Sequence, residues 1–97
     1  MRSNDLDGLE GVCAALAHGA RRRVLDLLRA RGSLSAGELA ERFDCAWPTL
    51  SRHLAVLADA GLVGVERVGR RRRYRLVRAR LAALESWLDG LRGRARR

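Results

Sequence analysis

Residues 47–63 read Trp47-Pro48-Thr49-Leu50-Ser51-Arg52-His53-Leu54-Ala55-Val56-Leu57-Ala58-Asp59-Ala60-Gly61-Leu62-Val63, and this stretch decides the fold. Leu50, Leu54 and Leu57 recur at helical spacing and point inward. The opposite face carries Pro48, Arg52, Ala55 and Asp59, with Thr49, Ser51 and His53 on the flanks. Pro48 falls in the first turn, where its missing N–H would lack a partner anyway. The helix runs to about Ala60, and Gly61 closes it, because the residue just past a helix end commonly takes φ > 0.

Toward the N-terminus, Ser35-Ala36-Gly37-Glu38 is a capping box and predicts a short helix through Phe43. The turn Asp44-Cys45-Ala46 joins it to the helix above, giving a helix-turn-helix over residues 35–60. Leu9, Val12, Cys13 and Leu16 recur at helical spacing and predict a first helix over residues 7–18 with a buried stripe. Val24, Leu25, Leu27 and Leu28 predict a second over residues 20–31, stopped by Gly32. Toward the C-terminus the period changes. Leu62, Val63, Val65 and Val68 alternate, Gly69-Arg70 makes a turn, and Arg73-Tyr74-Arg75-Leu76-Val77 continues, so residues 62–77 read as a β-hairpin. Leu81, Leu84, Leu88 and Leu91, with Trp87 beside them, form a narrow seam on a last helix over residues 78–92, of the kind that pairs helices. The sum is a mainly α fold with a small β-hairpin. It is a winged helix-turn-helix of about five helices plus a two-stranded wing, in one domain over residues 1–97.

The charge balance points to the partner. The 97 residues carry a formal net charge of +9, and every one of the 20 basic residues is arginine. Such a chain suits double-stranded DNA, because neutralising phosphates releases condensed counterions. No nucleophile–base pair, phosphate-binding glycine loop or metal constellation is evident, so an enzyme is not expected, nor a cofactor or a bound metal. No apolar run is long enough to span a membrane, and the first twenty residues, with Asp5, Asp7 and Glu10, do not resemble a secretory signal. The expectation is a cytoplasmic protein with Cys13 and Cys45 as reduced thiols.

The residues expected to touch DNA follow from this placement. Arg52 can offer two N–H donors to guanine, while Thr49 and Ser51 can bond base edges or phosphates beside Pro48 at the helix N-terminus. Two readings stand for Trp47: packing on thymine methyls or deoxyribose, or folding back onto Phe43 across the turn. Two also stand for His53, a phosphate or base contact and a structural hydrogen bond near the hairpin. In the hairpin, Arg70 and Arg71 lie at the tip and are the expected wing contacts. Arg73 and Arg75 share one strand face; Arg72, Tyr74 and Leu76 share the other, with Tyr74 expected against the core. A run of arginine is ordinarily a solvated face, yet a strand this basic repels itself until something anionic arrives.

Taken together, Leu16-Ala17-His18-Gly19-Ala20-Arg21-Arg22-Arg23-Val24-Leu25, Leu39-Ala40-Glu41-Arg42-Phe43, Pro48-Thr49-Leu50-Ser51-Arg52-His53-Leu54 and Leu57 through Val63 resemble the ArsR/SmtB family of bacterial winged-helix repressors. The resemblance covers about residues 9–77. It implies a homodimer built from the first and last helices through Leu9, Val12, Leu16, Leu81, Leu84, Trp87, Leu88 and Leu91, a palindromic operator, and repression by blocking the promoter. Family members often sense metals or arsenicals through paired cysteines on the third helix, but Ser35 and Gly37 stand at those positions. Others bind zinc on the last helix, where this chain offers only Glu85 and Asp89 and no histidine. The resemblance therefore implies a repressor without a metal inducer, and the sequence names no other inducer.

Three departures from the family pattern matter. Cys13 and Cys45 replace bulky apolar residues and are expected as small buried hydrophobes. Ala46 replaces a capping Ser, which costs the reading helix on the order of 1 kcal/mol. Trp47 replaces a polar residue, often Gln, that would contact DNA. Three alternatives stand beside the repressor: a sequence-tolerant architectural protein, a redox-responsive repressor using Cys13 and Cys45, and a protein-interaction module.

Overall fold

A computed structural model describes residues 8–93, so residue 7 of the expected first helix and both ends of the expected domain lie outside the described residues. The elements are α1 (Leu9–Leu16), α2 (Gly19–Arg31), β1 (Ser33–Ser35), α3 (Ala36–Ala40), α4 (Trp47–Asp59), β2 (Val63–Val68), β3 (Arg71–Leu76) and α5 (Leu81–Leu91). Five helices surround one core with a hairpin projecting from it, the architecture of a winged helix-turn-helix.

Local chemistry sets the helix boundaries. Ser35 and Glu38 close the capping box reciprocally: the Ser35 hydroxyl accepts from the Glu38 N–H at 3.1 Å, and the Ser35 N–H donates to the Glu38 carboxylate at 2.8 Å. That backbone bond, aided by Arg73 and Arg42, holds the Glu38 carboxyl below its ordinary value of 4.5. At the end of α4, the Leu62 N–H reaches the Leu57 carbonyl at 3.0 Å and the Gly61 N–H reaches Ala58 at 3.0 Å. With Gly61 at φ 80, this is a complete Schellman motif, and the accompanying apolar contact is between Leu57 and Leu62, both fully buried.

The expected third helix is shorter than its sequence suggests. It ends at Ala40, because Arg42 and Phe43 bond only three residues back, to Leu39 and Ala40. Phe43 leaves the helical path and lies under the Arg23 guanidinium of α2, 5.1 Å from carbon to ring centre.

The core is formed by Val12, Val24, Leu28, Leu39, Leu50 and Leu57, each with 1% or less of its surface exposed, and closed by Leu34, Leu62 and Tyr74. Burying each large aliphatic side chain contributes about 1.5–3 kcal/mol. Two expectations for α1 need correction here. Val12 was assigned to the dimer seam, but it is sealed inside its own chain and has no surface to offer a partner. Cys13 was placed in the buried stripe, yet it is exposed, because Ala15 takes the second inward position of this short helix. Cys45 is exposed as well, in the turn before α4.

The sheet has three strands in the order β1-β3-β2: the two-stranded wing is the hairpin of β2 and β3, and β1 adds a short third strand at its base. β1 pairs antiparallel with β3, aligning Leu34 with Tyr74 and Ser35 with Arg73. β2 pairs with β3 through the two-residue turn Gly69-Arg70, aligning Val65 with Tyr74, Arg67 with Arg72 and Val68 with Arg71. Gly69 takes φ 66 while Arg70 keeps φ negative, the combination of a two-residue hairpin turn with glycine first. β1 therefore fixes the base of the wing to the start of the helix-turn-helix.

Candidate nucleic-acid interface

The site grows from α4. Its 13 residues span about 20 Å. Leu50, Leu54 and Leu57 hold it to the core, so the side chains half a turn away stand clear of the protein. Pro48, Thr49, Arg52, Ala55 and Asp59 are all exposed. The exposed Arg52 guanidinium has no hydrogen bond or ion pair among the described residues. Ala46 contributes no side-chain cap; its carbonyl accepts from the N–H groups of Thr49 and Leu50.

Ser51 and His53, the two flanks of this helix, face different neighbours. Ser51 turns toward the wing and lines a cleft of about 170 Å³ with Ala55, Val65, Arg72 and Tyr74. His53 turns the other way, toward the junction of α1 and α2. Arg21 lies 3.3 Å from its Nδ1, and the His18 ring is 4.9 Å from its own. Arginine only donates, so Nδ1 must accept and the imidazole is neutral, with its proton on Nε2. Desolvation, then Arg21, His18 and Arg52, push the His53 pKa below its ordinary 6.5. The same Arg21 donates to the carbonyls of Ala15 at 2.8 Å and Ala14 at 3.1 Å. The hydrogen bond of His53 is thus made to α2, and not beside the hairpin, where one of the two readings of the sequence puts it.

Trp47 is 41% exposed. It borders a cleft of about 420 Å³ whose other walls are Ser35, Gly37 and the wing residues Arg70, Arg71 and Arg72. The indole therefore stands between the reading helix and the wing, while Phe43 is occupied with Arg23.

The wing arginines divide into two groups. Arg73 is held by Ser33 Oγ at 3.1 Å and by Glu38 at 3.8 Å. Arg75 lies across Gly64, close enough that a side chain there would meet its guanidinium at 2.8 Å. Arg67, Arg70, Arg71, Arg72 and Arg75 have no ion pair or side-chain hydrogen bond among the described residues. Arg72 lines both clefts beside α4, and Arg67 is its direct partner across the strands. Sequence reasoning set Arg72 beside Tyr74 but passed over it as a contact. Its signal was parity, since a strand whose Tyr74 enters the core must turn Arg72 toward the same side.

An exposed helix face with an unpaired arginine, flanked by a basic hairpin on a shared core, defines a winged helix-turn-helix DNA-binding protein. A helix-turn-helix domain family matches residues 16–66. The chain is 45% identical over 75 residues to the HTH-type transcriptional regulator Rv2034 of Mycobacterium tuberculosis, covering 77% of this chain and 69% of that protein. It is 36% identical over 61 residues to the transcriptional repressor SdpR of Bacillus subtilis, covering 63% and 67%. The solution structure of the homodimeric winged helix-turn-helix DNA-binding domain Mb0332 from Mycobacterium bovis, a possible ArsR-family transcriptional regulator, superposes with a TM-score of 0.72 at 32% identity, covering 95% and 84%. The chain belongs to the ArsR family of winged helix-turn-helix transcriptional regulators, DNA-binding proteins and not enzymes. Among the described residues no helix is long and apolar enough to cross a membrane.

Proposed function

We propose that this chain is a sequence-specific transcriptional repressor that binds a palindromic operator in the cytoplasm as a homodimer and blocks the promoter. The observation that carries the reading is Arg52, exposed on α4 without a partner among the described residues, between the free N-terminal turn of the helix and a wing of unpaired arginines. Thr49 and Arg52 read base edges, Pro48 and Ser51 set the helix against the backbone, and Arg70 and Arg71 grip the flanking DNA. Trp47 packs on deoxyribose or thymine methyls at the groove wall. His53 acts through its bond to Arg21, holding α4 to α2, and does not itself reach the bases.

The dimer uses α1 and α5. No residue of α5 is buried, and Trp87, Leu88 and Leu91 are 51%, 37% and 67% exposed, an apolar face that a second copy covers. Leu9, at the start of α1, borders the same groove as Trp87. Leu16, Leu81 and Leu84, half-buried against the core, brace it from behind. The homodimeric Mb0332 domain supports this arrangement. No metal inducer is part of the reading, because Ser35 and Gly37 offer no thiolate and α5 offers no imidazole.

Substituting Arg52→Ala tests the assignment. The ratio of operator to random-duplex affinity should fall by about 1–3 kcal/mol per half-site, measured by competition binding, while binding to random duplex persists. An unchanged ratio would remove Arg52 as the reading residue. A second, redox-responsive form of the same repressor rests on Cys13, whose thiol is exposed in the single chain beside Leu9, Glu10 and Trp87 in the groove given above to the dimer, where its oxidation would loosen the pairing of the two copies. In that case a thiol oxidant lowers operator affinity of the native chain but not of Cys13→Ser.

A further inference from the structure

The inner face of the wing, the side turned toward α4, carries two like charges in direct opposition. Arg67 on β2 and Arg72 on β3 are register partners, so both side chains leave the sheet on the same side with their Cα atoms about 4.5–5.5 Å apart. That side also carries Val65 and Tyr74, which border the cleft against Ser51 and Ala55 of α4. Like charges placed directly opposite destabilise a sheet. Of the outer-face arginines, Arg73 is bonded to Ser33 and Glu38, Arg75 packs over Gly64, and Arg71 stands at the tip opposite Val68, so none of them faces another arginine across the strands. Glu66, the acidic residue of the hairpin, aligns with Arg73 on that outer face and so cannot serve the inner pair. Among the described residues no carboxylate lies within ion-pair distance of Arg67 or Arg72.

An arrangement that costs the free protein stability and lies open beside a reading helix suits an anion supplied from outside. We propose that Arg67 and Arg72 together form the seat for one backbone phosphate of bound DNA, where the strand passes between the wing and α4 and across the indole of Trp47. The seat adjoins the tip, whose Arg70 and Arg71 line the Trp47 cleft together with Arg72, and it rests on the DNA-binding reading above. It makes the wing's inner face a register clamp. One phosphate fixed between β2, β3 and the first turn of α4 sets how deeply Arg52 enters the major groove.

The test compares the native chain with Arg67→Gln, Arg72→Gln and the double variant, binding a random-sequence DNA duplex across a salt series, alongside thermal unfolding of each free protein. With one shared phosphate in each protomer of the dimer, the double variant lowers the slope of log affinity per dimer against log salt by about 2. Each single substitution should raise the unfolding midpoint of the free protein by roughly 1–5 °C, with no further gain in the double variant, since either change alone removes the repulsion. Arg72→Lys should keep the native slope. Unchanged affinity and slope in the double variant overturn the proposal, as does a slope loss of about 4 per dimer, which would mean two separate phosphates in each protomer. A lowered midpoint in both single variants also overturns it, because the pair would then support the fold. If the native chain itself fails to bind duplex DNA, the DNA-binding reading fails first and the phosphate seat with it.

Discussion

At the scale of single residues, the part of the interface most tied to the rest of the protein is His53. Its neighbour Arg52 is free, whereas His53 links the reading helix to Arg21, and Arg21 in turn caps the end of α1 through the carbonyls of Ala14 and Ala15. The link needs a neutral imidazole, since a protonated ring would face the charges of Arg21 and Arg52 and the ring of His18. Because the fold lowers the His53 pKa, the unfolded chain binds more protons just below pH 6.5, and stability rises with pH through that window. The contribution of His53 is therefore fully present above the unfolded value and is lost as pH falls beneath it. Chemical denaturation of the native chain and of His53→Gln at a series of pH values checks this. The native chain should lose more stability than the variant on acidification, and equal losses would show that the Arg21 contact carries no proton-dependent stability.

At the scale of elements, the helix-turn-helix was legible because its punctuation is local. The capping box at Ser35, Pro48 in the first turn and Gly61 at the end of α4 each act within a few residues of their own position. Gly61 can be tested directly. A Cβ there would meet Arg80 Cγ at 2.9 Å, and φ 80 strains any L side chain, so Gly61→Ala should destabilise the fold by about 1–2 kcal/mol in denaturant unfolding, leaving the salt slope of DNA binding unchanged.

Features set by distant contacts were harder to read. The third helix stops at Ala40, where the backbone bonds tighten to three residues, and Phe43 turns to meet Arg23, twenty residues away in sequence, a contact no periodicity reveals. β1 is only three residues long, too short for alternation to show. On α1, Val12 and Cys13 both fit an apolar stripe, and the small Ala15 takes the place that size alone would have given to Cys13. Thr49 and Arg52 were readable as exposed because three leucines fix the rotation of α4. The orientation of His53 was not, since its partner lies 32 residues away. Arg67 and Arg72 were within reach, as a two-residue turn at Gly69-Arg70 dictates their pairing. Seeing what that pairing faces required the position of α4.

At the scale of the whole molecule, charge and symmetry set the behaviour. A net charge of +9 gives nonspecific affinity for any duplex, steep in salt, and would serve an architectural protein equally well. What separates a repressor from a coating protein is a reading helix repeated by two-fold symmetry, which the proposed pairing of two copies through the exposed Trp87, Leu88 and Leu91 of α5 would supply. Selection of bound sequences from a pool of random duplex DNA by the full chain tests this central claim most directly. The account predicts an enriched inverted repeat with half-site centres about one helical turn, roughly 10–10.5 base pairs, apart. Retention of the pool with no enriched sequence, or enrichment of a single unrepeated site, would contradict it.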